Sequence, residues 1–269
     1  MAEIDVIIAI ILGIFQGVVE WLPISSTGQT ILAMVDILDL DPDSAFSLAF
    51  FLHFGTLLAV LLKMRGDVKY ILSRLPRYKE DDLVRFMLIS TMASAIVGIP
   101  VYLLLVQFIK LGGGDMITTL VGVFLILTGF IIYFSKRKMG TRVVSGSDRK
   151  DSILAGIAQG FAVIPGISRS GVTVAAMVGR SFEHREALRL SLLMSIPAIS
   201  GIIILETIRG GIQDLGVFPI LAGVFTAFIV GYLMIDVLLR FTQKVKFDVF
   251  CIVFGAIATA VGLILLVRI

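Results

Sequence analysis

Mostly uncharged apolar stretches of about 20 residues alternate with short polar connections along this chain. A stretch of that length crosses the hydrocarbon core of a bilayer as an α-helix, because each helical residue adds about 1.5 Å. The pattern therefore predicts an all-α integral membrane protein with six transmembrane helices, over 44–62, 86–106, 117–135, 187–206, 217–239 and 249–267.

Two shorter apolar regions, 4–40 and 152–180, contain related sequences. GIFQGVVEWLPISSTG at Gly13–Gly28 recurs as GIAQGFAVIPGISRSG at Gly156–Gly171. The recurrence predicts one membrane domain, 1–269, built from two internal repeats at about 1–138 and about 150–269.

Both copies are interrupted by proline, glycine and hydroxyl residues, as in the PISSTG and PGISRSG sequences. A bilayer tolerates broken helical backbone only where it is buried in protein or lines a polar cavity. Pro23 and Pro165 each remove a backbone donor, which favours two re-entrant helical hairpins over the alternative of one crossing per copy. Hairpins entering from opposite faces would bring 25–28 close to 168–171.

Composition and charge agree with a membrane protein of inverted-topology repeats. Hydrophobic residues make up 58% of the chain, and the mean hydropathy is +1.02. Seven basic residues lie between Lys63 and Arg85 and six between Lys136 and Lys150, so both segments are predicted to be cytoplasmic. This layout gives the two halves, each a hairpin plus three spans, opposite orientations. The single cysteine excludes a disulfide framework or a thiolate metal cluster within the chain.

Arg169 lies between apolar runs, where an arginine costs about 2.5 to 3.5 kcal/mol even on insertion scales. Its guanidinium, among glycine and serine residues, suits an anionic oxygen cluster such as phosphate. The alternative is an internal salt bridge to Glu20, and both arrangements can coexist in a resting site.

Glu20 is the one acid between Asp5 and Asp36, and Gln16 lies one helical turn before it. A buried carboxylate there could hold a divalent cation, take a proton, or only neutralise Arg169. The hydroxyl residues 25–27 are either simple helix caps or, if set against Arg169, candidate nucleophiles. His53 fits a packed core histidine better than its alternative, a proton acceptor at the junction.

The segment Gln16–Gly28, QGVVEWLPISSTG, together with PGISRSG at Pro165–Gly171, resembles the undecaprenyl-diphosphate phosphatase family, integral membrane lipid phosphatases of the bacitracin-resistance type. The resemblance covers essentially the whole chain. It implies hydrolysis of a polyprenyl diphosphate to the monophosphate and inorganic phosphate, which recycles the carrier lipid of cell-envelope polymers at the plasma membrane. It also implies a divalent cation, calcium or magnesium, and a fold of six spans with two re-entrant hairpins in inverted repeats.

The family's motifs fall on particular residues of this chain. Its acidic motif falls on Gln16 and Glu20, its proposed serine nucleophile on Ser26, and its essential arginine on Arg169. The catalytic residues are thus expected to be Ser26, Glu20 and Arg169, with Glu20 also the metal ligand. The expected substrate-binding residues are Gln16, Ser25, Thr27, Gly28, Gln29, Gly166, Ser168, Ser170 and Gly171.

One position departs from the family pattern. Members commonly carry a histidine directly after the STG sequence, where this chain has Gln29. Glutamine does not accept a proton at neutral pH, so the base would have to be Glu20, His53 or, in part, the cation. Two mechanisms remain open: attack by Ser26 on the terminal phosphorus, and attack by a cation-activated water with Ser26 orienting the phosphate.

A second function follows from the repeats alone. Inverted repeats with interrupted helices are typical of transporters, so the same site could bind a polyprenyl phosphate headgroup and carry it across the bilayer. The expected partners are a polyprenyl diphosphate lipid and the membrane, with a second copy of the chain as a further candidate and no nucleic acid.

Overall fold

The computed structural model describes residues 5–111, 114–135, 140–210, 216–241 and 246–267. Those residues form eleven α-helices, with one turn of π-helix at Ala33–Ile37 directly after the second. The helices are α1 (Val6–Val19), α2 (Ser26–Leu32), α3 (Pro42–Lys63), α4 (Arg65–Arg74), α5 (Asp82–Leu111), α6 (Gly114–Ser135), α7 (Arg149–Phe161), α8 (Arg169–Gly179), α9 (His184–Arg209), α10 (Val217–Phe241) and α11 (Phe247–Val267).

Within the described residues, six helices are long and apolar enough to cross a membrane: α3, α5, α6, α9, α10 and α11. Each of the six predicted spans lies inside one of them, so the prediction of an all-helical, multi-pass membrane protein is confirmed. Large apolar side chains cover their outer faces, for example Ile96 at 70% and Phe218 at 80% exposure. Such a surface is stable against lipid tails.

The third helix lies at the centre of the bundle. In its most apolar window 78% of the residues are buried, against 22% in α5 and in α11. A helix that is buried on most sides carries apolar residues on every face, and α3 accordingly has phenylalanine, leucine and alanine all around its axis. His53 is carried by this central helix and is therefore held away from lipid.

Four short helices form two pairs, α1 with α2 and α7 with α8. In the first pair, α1 ends at Val19 and Ser25 adopts a left-handed backbone, with φ of 60°, directly before α2. In the second pair, Gly166 supplies a positive φ of 98°, which glycine adopts without strain. Ser168 then caps α8 by accepting a hydrogen bond from the Gly171 N–H at 3.2 Å. The chain therefore turns in both pairs where the sequence breaks its apolar run.

Glycines of the repeated sequence bring α1 against α10 and α7 against α5. A Cβ atom built on Gly13 would lie 2.3 Å from the Gly223 carbonyl oxygen. One built on Gly156, its counterpart in the second copy, would lie 2.3 Å from the Ser90 carbonyl oxygen. Only residues without side chains allow helix backbones to approach this closely. Corresponding glycines thus serve the same packing purpose in each copy.

Asp151, in the first turn of α7, joins the segment before α7 to the residue that directly follows α8. Its fully buried carboxylate accepts hydrogen bonds from Arg142 at 2.7 Å, Arg180 at 2.6 Å and the Asp148 N–H at 2.9 Å. Burial alone would raise the pKa of Asp151, but the Asp148 N–H and the two guanidinium groups hold it below its ordinary value. The charged form is therefore the one that stabilises this end of the second helix pair.

Candidate active site

Glu20 is the centre of a buried polar cluster. Glu20 is 5% exposed. Its carboxylate accepts hydrogen bonds from Gln16 Nε2 at 2.9 Å, Ser26 Oγ at 2.6 Å and Arg169 Nη2 at 2.5 Å. His53 Nε2 lies 3.1 Å from Glu20 Oε2. These side chains come from α1, α2, α3 and α8, so the cluster exists only when both helix pairs pack on the central helix.

Arg169 compensates the buried carboxylate. It is the first residue of α8, and its side chain is 14% exposed. Besides the bond from Nη2 to Glu20, its Nη1 donates to the Ser191 carbonyl at 3.3 Å. An ion pair in a low-dielectric setting is tolerated only with good geometry and further hydrogen bonds, and this pair has both. The internal salt bridge to Glu20 that the sequence offered as an alternative is therefore present. It leaves the remaining donors of the guanidinium available to an anion.

The broken turns of the two helix pairs meet directly. The Gly166 N–H donates to Ser25 Oγ at 3.0 Å, and a Cβ atom built on Gly28 would lie 2.7 Å from the Gly166 nitrogen. Ser25 therefore joins the pairs rather than capping α2, where its side chain makes no cap hydrogen bond. The left-handed backbone of Ser25 is uncommon for a residue with a side chain and is held in place by this contact.

His53 is buried and also belongs to the Glu20 cluster. Nδ1 lies 2.6 Å from the Ala49 carbonyl, which can only accept, and must therefore donate to it. Nε2 is then the nitrogen that can exchange a proton with the cluster, at 3.1 Å from Glu20 and 3.3 Å from Thr27 Oγ1. Its place beside Glu20 depends on the packing of α3 against α1 and α2, which is a tertiary feature.

A cavity of about 80 Å³ opens beside the cluster. Apolar side chains form part of its wall, among them Phe50, Ile199 and Ile202. The ionisable and hydroxyl residues that line it are Glu20, Ser25, Ser26, Thr27, His53, Ser168, Arg169 and Ser170. A single chamber thus offers a cation, a carboxylate, several hydroxyl groups and an apolar side, which suits a phosphorylated lipid headgroup better than a fully hydrated solute.

Some residues expected to bind substrate lie behind the cavity instead of lining it: Gln16, Gly28, Gln29, Gly166 and Gly171. Gln29 is buried, and its Nε2 donates to the Ile24 carbonyl at 2.6 Å, which braces the turn before α2. Gln16 is linked to the cavity indirectly, because its Nε2 donates a hydrogen bond to Glu20 on the cavity wall. The glycines shape the turns and helix contacts described above.

Gln159 is a cavity residue that was not among the expected site residues. It corresponds to Gln16 in the other copy of the repeat, and this correspondence is the signal that could have identified it. Its Nε2 donates to Ser94 Oγ at 3.3 Å and to the Met194 carbonyl at 3.2 Å, while its Oε1 is buried without a hydrogen-bond partner. A buried acceptor left unpaired is costly, so this oxygen is a candidate for water or ligand contact.

The donor set does not fit a divalent cation held by the protein. Within the described chain, no group of three or more histidine, cysteine, aspartate or glutamate side chains is placed to hold a metal ion. Among the described residues, Glu20 is the one carboxylate on the cavity wall, and it already accepts hydrogen bonds from Gln16, Ser26 and Arg169. Calcium takes six to eight oxygen ligands, and magnesium requires near-octahedral oxygen coordination.

Comparison with known proteins identifies the family. Residues 9–260 match the family described as bacitracin resistance protein BacA. The chain belongs to this family. The match covers every residue of the Glu20 cluster and both copies of the repeated sequence, Gly13–Gly28 and Gly156–Gly171.

Curated relatives are similar to the chain over nearly their whole length. A protein of Methanococcoides burtonii named undecaprenyl-diphosphatase is 41% identical over 93% of this chain and 96% of its own. One of the same name from Methanothrix thermoacetophila is 38% identical over 95% and 96%. Another from Methanopyrus kandleri is 37% identical over 98% of each chain.

Proposed function

We propose that this protein hydrolyses a polyprenyl diphosphate, of which undecaprenyl diphosphate is the leading candidate, to the monophosphate and inorganic phosphate. The observation that carries the proposal is Ser26, Glu20 and Arg169 meeting at one cavity, with a nucleophile, a base and a cation within hydrogen-bond reach. Relatives named undecaprenyl-diphosphatase support the substrate. We place the reaction in the plasma membrane, where an envelope carrier lipid is recycled.

The proposed reaction begins with Arg169 binding the terminal phosphate. Its guanidinium matches phosphate oxygens, and the pairing strengthens as charge develops on them during transfer. Ser168 and Ser170 flank it with hydroxyl donors at the same cavity. Apolar side chains on the other wall would exclude water from the bound diphosphate, which increases the electrostatic effect of the arginine.

Ser26 is the proposed nucleophile. Its Oγ–H already donates to Glu20 Oε2 at 2.6 Å, so the carboxylate can take the proton as Oγ forms a bond to the terminal phosphorus. The bond from phosphorus to the bridging oxygen breaks, and polyprenyl phosphate leaves with the electron pair. Water then hydrolyses the phosphoserine. His53 Nε2, 3.1 Å from the same carboxylate oxygen, can relay the proton away.

A direct attack by water, with Ser26 only orienting the phosphate, uses the same residues. A single turnover in oxygen-18 water, followed by mass spectrometry of the Ser26 peptide after acid quench, separates the routes. The covalent route predicts a phosphoserine at Ser26 during turnover. Complete absence of the adduct under conditions in which phosphate is released would favour direct attack.

For the fold, we propose that α1–α2 and α7–α8 are re-entrant hairpins that enter from opposite faces of the membrane. The equivalent packing of Gly13 and Gly156, and the contact between Ser25 and Gly166 at the turns, support inverted repeats that meet near mid-membrane. The basic segment Lys63–Arg85 would then be cytoplasmic.

Reconstitution into vesicles tests the function. Purified protein in lipid vesicles that contain undecaprenyl diphosphate should release inorganic phosphate, and the remaining lipid should be the monophosphate. Movement of the headgroup across the vesicle membrane without phosphate release would contradict the phosphatase and favour the transporter.

A further inference from the structure

A second cavity, which we call the lateral groove, lies beside the active-site cavity. It has a volume of about 220 Å³ and is bounded by α5, by α7 with the residue Val163 after it, and by α9. Of the described residues that form its wall, all are apolar except Thr91, Ser94 and Gln159. An apolar chamber inside a membrane protein is suited to a hydrocarbon ligand.

The groove lies at one of two corresponding helix contacts. Because α1 packs on α10 as α7 packs on α5, the contact between α3 and α10 corresponds to that between α9 and α5. The first is closed, since a Cβ atom built on Gly55 would lie 2.2 Å from the Val224 carbonyl oxygen. The second is open: a Cβ atom on Gly201 of α9 would meet nothing within 4 Å. The two halves therefore differ where the groove lies.

The lateral groove adjoins the active-site cavity on one side and the lipid-facing surface on the other. Four residues line both chambers: Gln159, Val163, Ala198 and Ile202. At the other side of the groove, Ile99 of α5 is 43% exposed and Ile204 of α9 is 59% exposed. In a multi-pass membrane protein these exposed apolar side chains face lipid tails. A chain lying in the groove would thus have one end at Arg169 and the other in the bilayer.

We infer that the lateral groove holds the isoprene units next to the diphosphate of the substrate, which enters sideways from the bilayer between α5 and α9. This inference rests on the proposed function for the identity of the headgroup. The apolar wall of the groove takes the place of lipid tails around the chain, so the isoprene units pass from the bilayer to the groove without being exposed to water. The small volume admits only the first units, so the rest of a long chain stays in the membrane. Gln159 stands where headgroup and chain meet.

The test uses a farnesyl monophosphate with a photoactivatable diazirine on its terminal isoprene unit. Irradiation of the purified protein with this probe, followed by peptide mapping, should label α5 and α9 around Ile99 and Ile204. In Gly201→Trp, which fills the groove, labelling should fall about ten-fold or more. The matched control is Ile208→Trp, which adds the same side chain to a lipid-facing position of α9 with 78% exposure and should label like the wild type.

Labels confined to other helix contacts, or full labelling of a folded Gly201→Trp protein, would overturn the inference. If Gly201→Trp does not fold, the label positions on the wild-type protein decide the question alone. Phosphate release from undecaprenyl diphosphate is measured in parallel. Labelling of the groove without phosphate release would refute the phosphatase while supporting the groove as a polyprenyl phosphate site.

Discussion

At the scale of single residues, Glu20 connects stability with chemistry. Its carboxylate pairs with Arg169 and accepts a hydrogen bond from the Ser26 hydroxyl in the same buried cluster. The surrounding protein excludes water, so loss of the carboxylate charge leaves the guanidinium without compensation. Substitutions at this position therefore change both folding and rate, and each must be measured on the folded fraction.

Glu20→Gln should reduce phosphate release by about 100-fold or more, because the amide cannot take the Ser26 proton. It should also lower stability by about 3 to 5 kcal/mol, since Arg169 loses its buried partner. Phosphate release per folded molecule, with folding followed by size-exclusion chromatography, checks the first effect. Glu183→Gln, an exposed position before α9, is the matched control. Wild-type activity in folded Glu20→Gln would exclude the carboxylate as the base.

The donor set around Glu20 also predicts the behaviour of divalent cations. Because the described part of the chain places one carboxylate on the cavity wall, the substrate-free protein should bind calcium or magnesium too weakly to raise its melting temperature. Any cation dependence of turnover should instead follow the concentration of the cation–diphosphate complex. A calcium-induced rise in melting temperature without substrate, lost in Glu20→Gln, would show that the protein holds the ion itself.

At the scale of helices, close glycine contacts position the two short pairs. A methyl group on Gly156 would overlap the Ser90 carbonyl, and backbone of two packed helices cannot easily move aside. These contacts set the depth of α7 and, through the turn at Gly166, the position of Arg169. The packing of α7 against α5 thus helps to fix the position of Arg169 in the active site through the backbone.

Gly156→Ala should lower the melting temperature by several degrees, as expected for overpacking of about 1 to 3 kcal/mol. Gly179→Ala is the matched control, because a Cβ atom there meets nothing within 4 Å and alanine favours the helix. Thermal unfolding of both variants in the same detergent provides the comparison. Equal melting temperatures would contradict the packing account.

At the scale of the whole molecule, the ion cluster around Asp151 makes stability depend on pH. The folded pKa is lowered, so the contribution is fully present above the ordinary aspartate range, near pH 4, and is lost as pH falls through the folded value. The melting temperature of the wild-type protein should therefore fall as the pH is lowered below about 5. The melting temperature of Asp151→Asn should fall less over that pH range. That of Asp39→Asn, at an exposed position, should fall as it does in the wild type. Parallel curves for all three proteins would exclude the cluster as the cause.

The sequence predicts much of this molecule because membrane spans depend on local hydropathy. All six spans follow from apolar length, and the repeated motif identifies Glu20, Ser26 and Arg169 as neighbours before any contact is known. The position of His53 beside Glu20 depends on how α3 packs, and the side chain of Gln29 is turned to the Ile24 carbonyl instead of the cavity. The lateral groove arises from a difference between two helix contacts, and no single segment encodes it.

The most direct test of the account is phosphate release from undecaprenyl diphosphate by purified wild-type protein, Arg169→Ala and Ser26→Ala, with Arg185→Ala and Ser44→Ala as matched controls away from the cavity. We expect release by the wild type and both controls, and a loss of about 100-fold or more in each site variant. Folded site variants that release phosphate at the wild-type rate would show that the chemistry takes place somewhere other than the junction of the two repeats.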